Sequence, residues 1–311
     1  MWRFVGRRLA GFALVLAAAL VVTFAAIHAL PGDPVAVMLS DHSADQEMAA
    51  RLRAEYGLDR GLASQFVTYV ADLAQGRFGL SFRFVHAPVG AVLRDSLVVS
   101  PILALSALCV AVGLGVLGGV MAAIHRRRMA DTAIILVLVA GLSIPNFAVA
   151  TFLVYALSVK LGLVPVAGWG TWRQAVLPVL VLAIPSAAYI ARLSRTFMLE
   201  VLQQDYVRTA RAKGLPERLV VWRHALRNIL VPLVTSAGVI LGGLLSNTVV
   251  VETIFNIPGL GRLAIDSIFA RDYPVAMAVV LLFVAFFGVI NLAADVVCAL
   301  VDPRIRRGLA A

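Results

Sequence analysis

Residues 96–124 read SLVVSPILALSALCVAVGLGVLGGVMAAI, 29 positions without one charged side chain. A helix rises about 1.5 Å per residue, so this run exceeds the roughly 30 Å hydrocarbon layer of a bilayer. Backbone polar groups in that layer must be satisfied internally, which leaves helices and closed barrels. The run lacks the alternation of a barrel strand and is read as helix. Further uncharged runs cover 9–27, 132–159, 174–191, 228–251 and 273–294. One such run is compatible with a buried helix of a soluble protein; six in 311 residues are not. Composition agrees: 61% hydrophobic and 14% charged, against about a quarter charged in soluble domains. The expected fold class is all-α and polytopic, with six transmembrane helices.

The first run starts basic, at Arg3, Arg7 and Arg8, as a secretory leader does. Ile27-His28-Ala29 puts a bulky residue into the small-x-small cleavage pattern, so the run is read as an anchor. Charge sets the expected orientation. The N-terminus, 125–131, 192–227 and the tail from 301 hold 17 basic residues and five acids. The intervening connections 28–95, 160–173 and 252–272 hold ten and eleven. The positive-inside rule then places both termini in the cytoplasm. The net charge of +10 faces anionic lipid headgroups on this reading, and no nucleic-acid partner is needed. Cys109 and Cys298 sit in apolar stretches and fit no metal-ligand spacing.

The connection 28–95 is longer than a hairpin needs. Leu30-Pro31-Gly32-Asp33-Pro34 ends the first helix, 45–56 and 62–74 carry helical periods, and Gly57, Gly76 and Gly79 punctuate them. Pro88 starts a short helix toward Leu93. The expectation is a small ordered outer cap. Connection 252–272 reads as two short helices broken at Asn256-Ile257-Pro258-Gly259. Trp169 and Trp172 suit a membrane interface. Gly113, Gly115, Gly118 and Gly119, with Gly238, Gly242 and Gly243, read as places of close helix approach. Pro101, Pro145, Pro178, Pro185 and Pro232 are each a kink or a fixed packing feature. Asp295, near the inner end of the last run, is the ionisable residue of the spans.

The stretch 192–227 carries the most chemistry. Leu199, Leu202, Tyr206 and Ala210 follow helical spacing and suggest one apolar face. Gly214 fits a helix stop, Pro216 a helix start, and Glu217 the first turn of the new helix. Thr209, Ala210 and Ala212 are small and leave room for another backbone; Arg208, Arg211 and Lys213 surround them. An amphipathic helix lying on lipid and a docking element for a soluble partner both fit this pattern.

Asp205-Tyr206-Val207-Arg208-Thr209-Ala210-Arg211-Ala212-Lys213-Gly214-Leu215, followed by His224-Ala225-Leu226-Arg227-Asn228, resembles the cytoplasmic coupling loop of the oligopeptide/dipeptide/nickel family of ABC importer permeases. The likeness extends to Pro31-Gly32-Asp33-Pro34, Tyr56-Gly57-Leu58-Asp59, Phe78-Gly79-Leu80-Ser81, Val251-Glu252-Thr253, Pro258-Gly259-Leu260-Gly261, Arg271-Asp272-Tyr273-Pro274 and Asp302-Pro303-Arg304, a set similar to the "B" half of such permease pairs. Arg77 stands where the family often has Asp, and Ser96 departs from its usual entry to the second span.

The resemblance implies the type I ABC importer permease fold in a bacterial inner membrane. It implies an anchor and outer cap over 1–95, a permease core over 96–300 with the coupling loop at 192–227, and a cytoplasmic tail over 301–311. It implies an ATP-driven, binding-protein-dependent importer of peptides or related small solutes, working by alternating access. The coupling residues would be Asp205, Tyr206, Arg208, Thr209, Ala210, Arg211, Ala212, Lys213, Gly214, Leu215 and Glu217. The implied partners are a second related permease, two ATPase domains or subunits and an external solute-binding protein, besides membrane lipid. A P-loop needs Gly-Lys-Ser/Thr. Lys160 follows Val159 and Lys213 follows Ala212, so no cofactor is expected on this chain, and ATP and Mg would be used by the partner ATPases. The histidines are scattered, with no zinc-protease pair and no Gly-x-Ser-x-Gly elbow, so an enzyme is not expected. The alternative is an ATP-independent secondary transporter or channel subunit. The solute itself is not written in the chain.

Overall fold

A computed structural model describes residues 2–29, 32–39, 46–84, 87–126 and 129–301. The opening run forms α1 (Trp2–His28), and the run quoted first forms α6 (Ser96–Ile124). Between them lie α2 (Pro34–Leu39), α3 (Gln46–Glu55), α4 (Leu62–Ala74) and α5 (Val89–Arg94). The cap is thus helical where its periodicity asks for it. Among the described residues its sheet-like pairing is one isolated bridge, Leu80 with Pro88.

The run 132–159 is bent. α7 (Met129–Ser143) and α8 (Asn146–Leu153, continued as a π-helical stretch Val154–Lys160) meet at 108°. Pro145 has an extended backbone, φ −60° and ψ 144°, caps α8, and offers no N–H to continue α7. Among the described residues five helices are long and apolar enough to span a bilayer, and six if the bent pair counts as one span. The other four prolines stay inside helices. The side chain of Asp295 and the tail motif from Asp302 lie outside the described residues.

The remaining elements are α9 (Trp172–Val201), α10 (Asp205–Ala212), α11 (Glu217–Leu219), a π-helical stretch Val220–Ala225, α12 (Leu226–Ile254), α13 (Leu260–Phe269) and α14 (Tyr273–Val301). α9 opens on a reciprocal cap. Gln174 N–H donates to Thr171 Oγ1 and Thr171 N–H donates to Gln174 Oε1. The connection 252–272 differs from expectation. Its first part is the end of the long α12, and only α13 is a short helix.

The chain divides into two compact units that do not follow chain order. One gathers 7–100 with 258–286. An aromatic core of Phe24, Phe82 and Tyr273 holds it, with Tyr56, Phe66 and Tyr69 packed on. Buried Asp272 accepts from Ser81 Oγ at 2.5 Å and from Phe82 N–H at 3.0 Å, closing a sequence gap of 191 residues. Leu260 N–H, at the start of α13, donates to buried Ser100 Oγ at 2.8 Å. Gly32 has φ +124°, and the Arg271 guanidinium fills the space a Cβ would take there.

The other unit gathers 1–6, 101–257 and 287–311. Its helices approach through glycine. A Cβ on Gly115 would stand 2.7 Å from Ala187 O, and one on Gly119 would overlap Ala191 O, so α6 and α9 meet backbone to backbone. Gly242 likewise receives the Phe287 ring on α14, and Gly238 receives Ala294. Gly113 and Gly243 face open space, so two glycines of the sequence reading are not contact points, while a Cβ on Gly118 would make an ordinary 3.9 Å contact with Ala191. Asp131, buried in the first turn of α7, takes a two-pronged bond from Arg195 of α9, both prongs 2.9 Å.

Candidate functional site

α9 stops at Val201. The backbone turns over Leu202–Gln204 and re-enters helix at Asp205. An acid in that first turn suits the helix dipole. α10 then ends on Lys213. Gly214 follows with φ +79°, its N–H bonded to Arg211 O at 2.9 Å, while Leu215 N–H reaches Ala210 O at 3.4 Å. This is the Schellman stop, in which a left-handed residue closes two loose carbonyls and an apolar residue beyond it packs back. Leu215 does pack back, onto Val207, Ala210 and Val220. Pro216, extended at ψ 142°, caps α11 and sends the chain into α12.

That apolar cluster also receives Val201 and Leu202 from the end of α9. α10 is thereby seated against the end of α9 and the π-helical stretch that leads into α12, with a three-residue link on one side and a four-residue link on the other. Arg211 crosses the turn to Glu217 with bonds of 3.0 and 2.6 Å. The hydrogen bond to Glu217 holds its guanidinium above the ordinary value. Arg208 sits 3.7 Å from Asp205. Thr209 Oγ1 donates to Asp205 O.

The candidate residues divide by face. Asp205, Tyr206, Arg208, Thr209, Arg211, Ala212, Lys213, Gly214 and Glu217 are exposed, while Ala210 is buried and Leu215 half-buried. Ala210 thus belongs to the inward packing and leaves Thr209 and Ala212 as the small residues of the outer face. The expected apolar face also shifts. Helical counting from Leu199 through Tyr206 runs across the break at Leu202–Gln204, so Tyr206 stays 44% exposed and Val207 takes the buried place. Val207, fully buried, is absent from the apolar face read in the sequence; Val220, one of the apolar residues read beyond the turn, is fully buried as well. Val207 and Ala210 are three apart, which is the signal once helix counting restarts at Asp205. Beyond the turn, Arg218 and Arg223 flank the half-exposed Trp222.

Among the described residues no group of three metal-ligating side chains is found. The arrangement is a short amphipathic helix, basic outside and apolar inside, joined to its neighbours by short links.

The fold and this turn fit the permease subunit of a binding-protein-dependent ABC importer, and comparison with known proteins shows that the chain is one. The profile described as "Binding-protein-dependent transport system inner membrane component" matches residues 115–307, and its N-terminal companion matches 1–109. The chain belongs to this family. It is 40% identical, over 98% of its length and 99% of theirs, to the "Glutathione transport system permease protein GsiC" of Shigella flexneri serotype 5b (strain 8401) and of Escherichia coli (strain K12). Among solved structures, the inward-facing MetNI methionine ABC transporter in its CY5 native crystal form matches 68% of this chain and 96% of its own, with TM-score 0.58 and 20% identity. That likeness shows the type I importer permease fold. The chain is an inner-membrane, multi-pass transport component and not an enzyme; ATP hydrolysis belongs to a separate subunit. The ATP-independent alternative is not supported.

Proposed function

We propose that the chain is one half of a heterodimeric import path for peptides or related small solutes, glutathione-like thiol peptides among them. The name of the relatives supports that cargo class. A second related permease completes the path, two ATPase domains sit on the cytoplasmic side with ATP and Mg, and an external binding protein delivers solute to the cap. Both termini face the cytoplasm on this reading, as does the 205–217 element. The three residue ranges 1–95, 96–300 and 301–311 keep the roles of anchor with cap, permease core and tail.

The observation that carries the reading is the seating of α10 on Val201, Leu202 and Val220. A push on its outer face reaches α9 and α12 together, which alternating access between two spans requires. The exposed residues Asp205, Tyr206, Arg208, Thr209, Arg211, Ala212, Lys213 and Glu217 then form the ATPase-facing surface. Ala210, Gly214 and Leu215 hold its shape.

The test separates grip from transmission. The double variant Val207→Ala with Val220→Ala leaves the outer face intact and loosens its seat. The complex is expected to keep its ATPase chains and lose most solute taken up per ATP hydrolysed in proteoliposomes. An unchanged ratio would overturn the proposed transmission.

A further inference from the structure

Glu217 is the one acid between Pro216 and Leu230, and Arg211 holds it. Arg218, Arg223 and Arg227 lie in the same stretch, all exposed. None of the three has an ion-pair or hydrogen-bonding side-chain partner among the described residues. Pro216, Arg218, Leu219, Trp222 and Arg223 line an open groove of about 450 Å³. Arg218 and Arg223 stand five apart and both reach it, since the stretch between them has the wider π-helical turn. Val220 is buried against Val207 and Ala210, and Val221 is buried as well, so the groove takes the side of this stretch turned away from α10.

The groove continues onto an apolar face. Arg223, Arg227, Leu230 and Val234 follow spacings of four, three and four, which puts them on one side of the helix. The first half of that side is cationic; the second is apolar, with Leu230 44% and Val234 41% exposed. The helical run Glu217–Ile254 has 38 residues. At about 1.5 Å per residue it outreaches a hydrocarbon layer of about 30 Å by nearly the same length again. About 20 spanning residues, counted back from Val251 just before Glu252, end near Val231. Leu230 and Val234 then meet the acyl boundary, and the three arginines fall at headgroup level. Trp222, 38% exposed, has the amphipathic ring that is enriched at that level.

We propose that this groove holds the phosphate of an anionic phospholipid between Arg218 and Arg223, with an acyl chain along Leu230 and Val234. Guanidinium forks match phosphate oxygens in pairs. Three guanidiniums with no free acid beside them favour a headgroup of net negative charge over a zwitterionic one. A carboxylate of a soluble ATPase would satisfy the arginines and leave Leu230 and Val234 bare, whereas one lipid molecule covers both halves of the face. That the lipid comes from the inner leaflet rests on the cytoplasmic placement of the 205–217 element proposed above.

The assembled importer, permeases with ATPases, is placed in phosphatidylcholine nanodiscs, which offer lipid to both ends of every span. A trace of phosphatidylglycerol or of phosphatidylcholine, each with a diazirine in one acyl chain, is added and photolysed. Labelled peptides are mapped, and labelling within 227–234 is divided by labelling around the exposed Leu14 and Val15 of α1. That ratio is expected to be about tenfold higher for phosphatidylglycerol than for phosphatidylcholine. Arg218→Gln with Arg223→Gln should bring it down to the phosphatidylcholine value, and excess glycerol 3-phosphate should leave it in place. Equal ratios for the two lipids, an unchanged ratio in the double variant, or erasure by glycerol 3-phosphate overturns the proposal. So does an unlabelled 227–234 in the assembled importer, which would give the face to a protein partner. The lipid pair decides on the unaltered chain, should the variant fail to assemble. Uptake per ATP is not read, so failure here leaves the transmission role of α10 standing, and failure of that role leaves this result standing.

Discussion

Gly214 and Gly32 are both at positive φ, for different reasons. Nothing lies within 4 Å of a Cβ built on Gly214, so its requirement is purely conformational. Left-handed backbone costs an ordinary side chain on the order of 1–2 kcal/mol, less for Asn. The purified complex should lose melting temperature and solute-per-ATP ratio in the order Gly214→Asn, Gly214→Ala, Gly214→Val, mildest first. A Val variant equal to the parent would remove the turn from the account. Gly32 has the backbone demand and a spatial one, since Arg271 occupies its Cβ position. Gly32→Ala is expected to cost about 2–3 kcal/mol by chemical denaturation. Adding Arg271→Ala should return part of that loss, the non-additivity expected of touching residues. Purely additive losses would deny the contact. Next to it, Arg53 holds Asp33 at 2.5 Å. Burial raises the Asp33 carboxyl, but the bonds from Arg53 and Val35 N–H outweigh it and hold it below the usual range.

Two ion pairs show why the same chemistry differs in weight between elements. Arg211–Glu217 spans the turn between α10 and α11 with both side chains about half exposed. Exposed pairs contribute on the order of 0–1 kcal/mol, so Glu217→Gln should leave the melting temperature nearly unchanged. Arg195–Asp131 joins α9 to α7 with the carboxylate side chain only 8% exposed. Removing one partner strands the other in a poor solvent, and Asp131→Asn should cost about 3 kcal/mol by thermal denaturation. Equal effects from the two substitutions would contradict this ranking. Much of α10 was legible beforehand, because Gly214, Pro216 and Glu217 are strong punctuation. Tyr206 was misplaced because periodicity assumes an unbroken helix, and the stop at Val201 is written in no Gly or Pro. The bend between α7 and α8 was half legible: Pro145 marks a place, while the 108° angle depends on what each half packs against.

At the scale of the molecule, the spans were plain because a hydrocarbon layer demands long uncharged runs, and nothing else in a sequence produces six. The gathering of 258–286 with 7–100 was not. It rests on pairings such as Asp272 with Ser81, and no local pattern announces a partner 191 residues away. The candidate site shows the same division: its turn is local and readable, its seat on Val207 and Val220 is tertiary. What joins these scales is the proposal that the 205–217 element faces the cytoplasm and is gripped by a nucleotide-driven subunit. The direct test is a single cysteine at Lys213, in a chain whose Cys109 and Cys298 are replaced by Ser, within the assembled importer. A membrane-impermeant maleimide added to intact cells should fail to label it, and a short bifunctional thiol reagent added to inverted vesicles should join it to an ATPase chain. Labelling from outside intact cells, or no crosslink to any ATPase, would contradict the account.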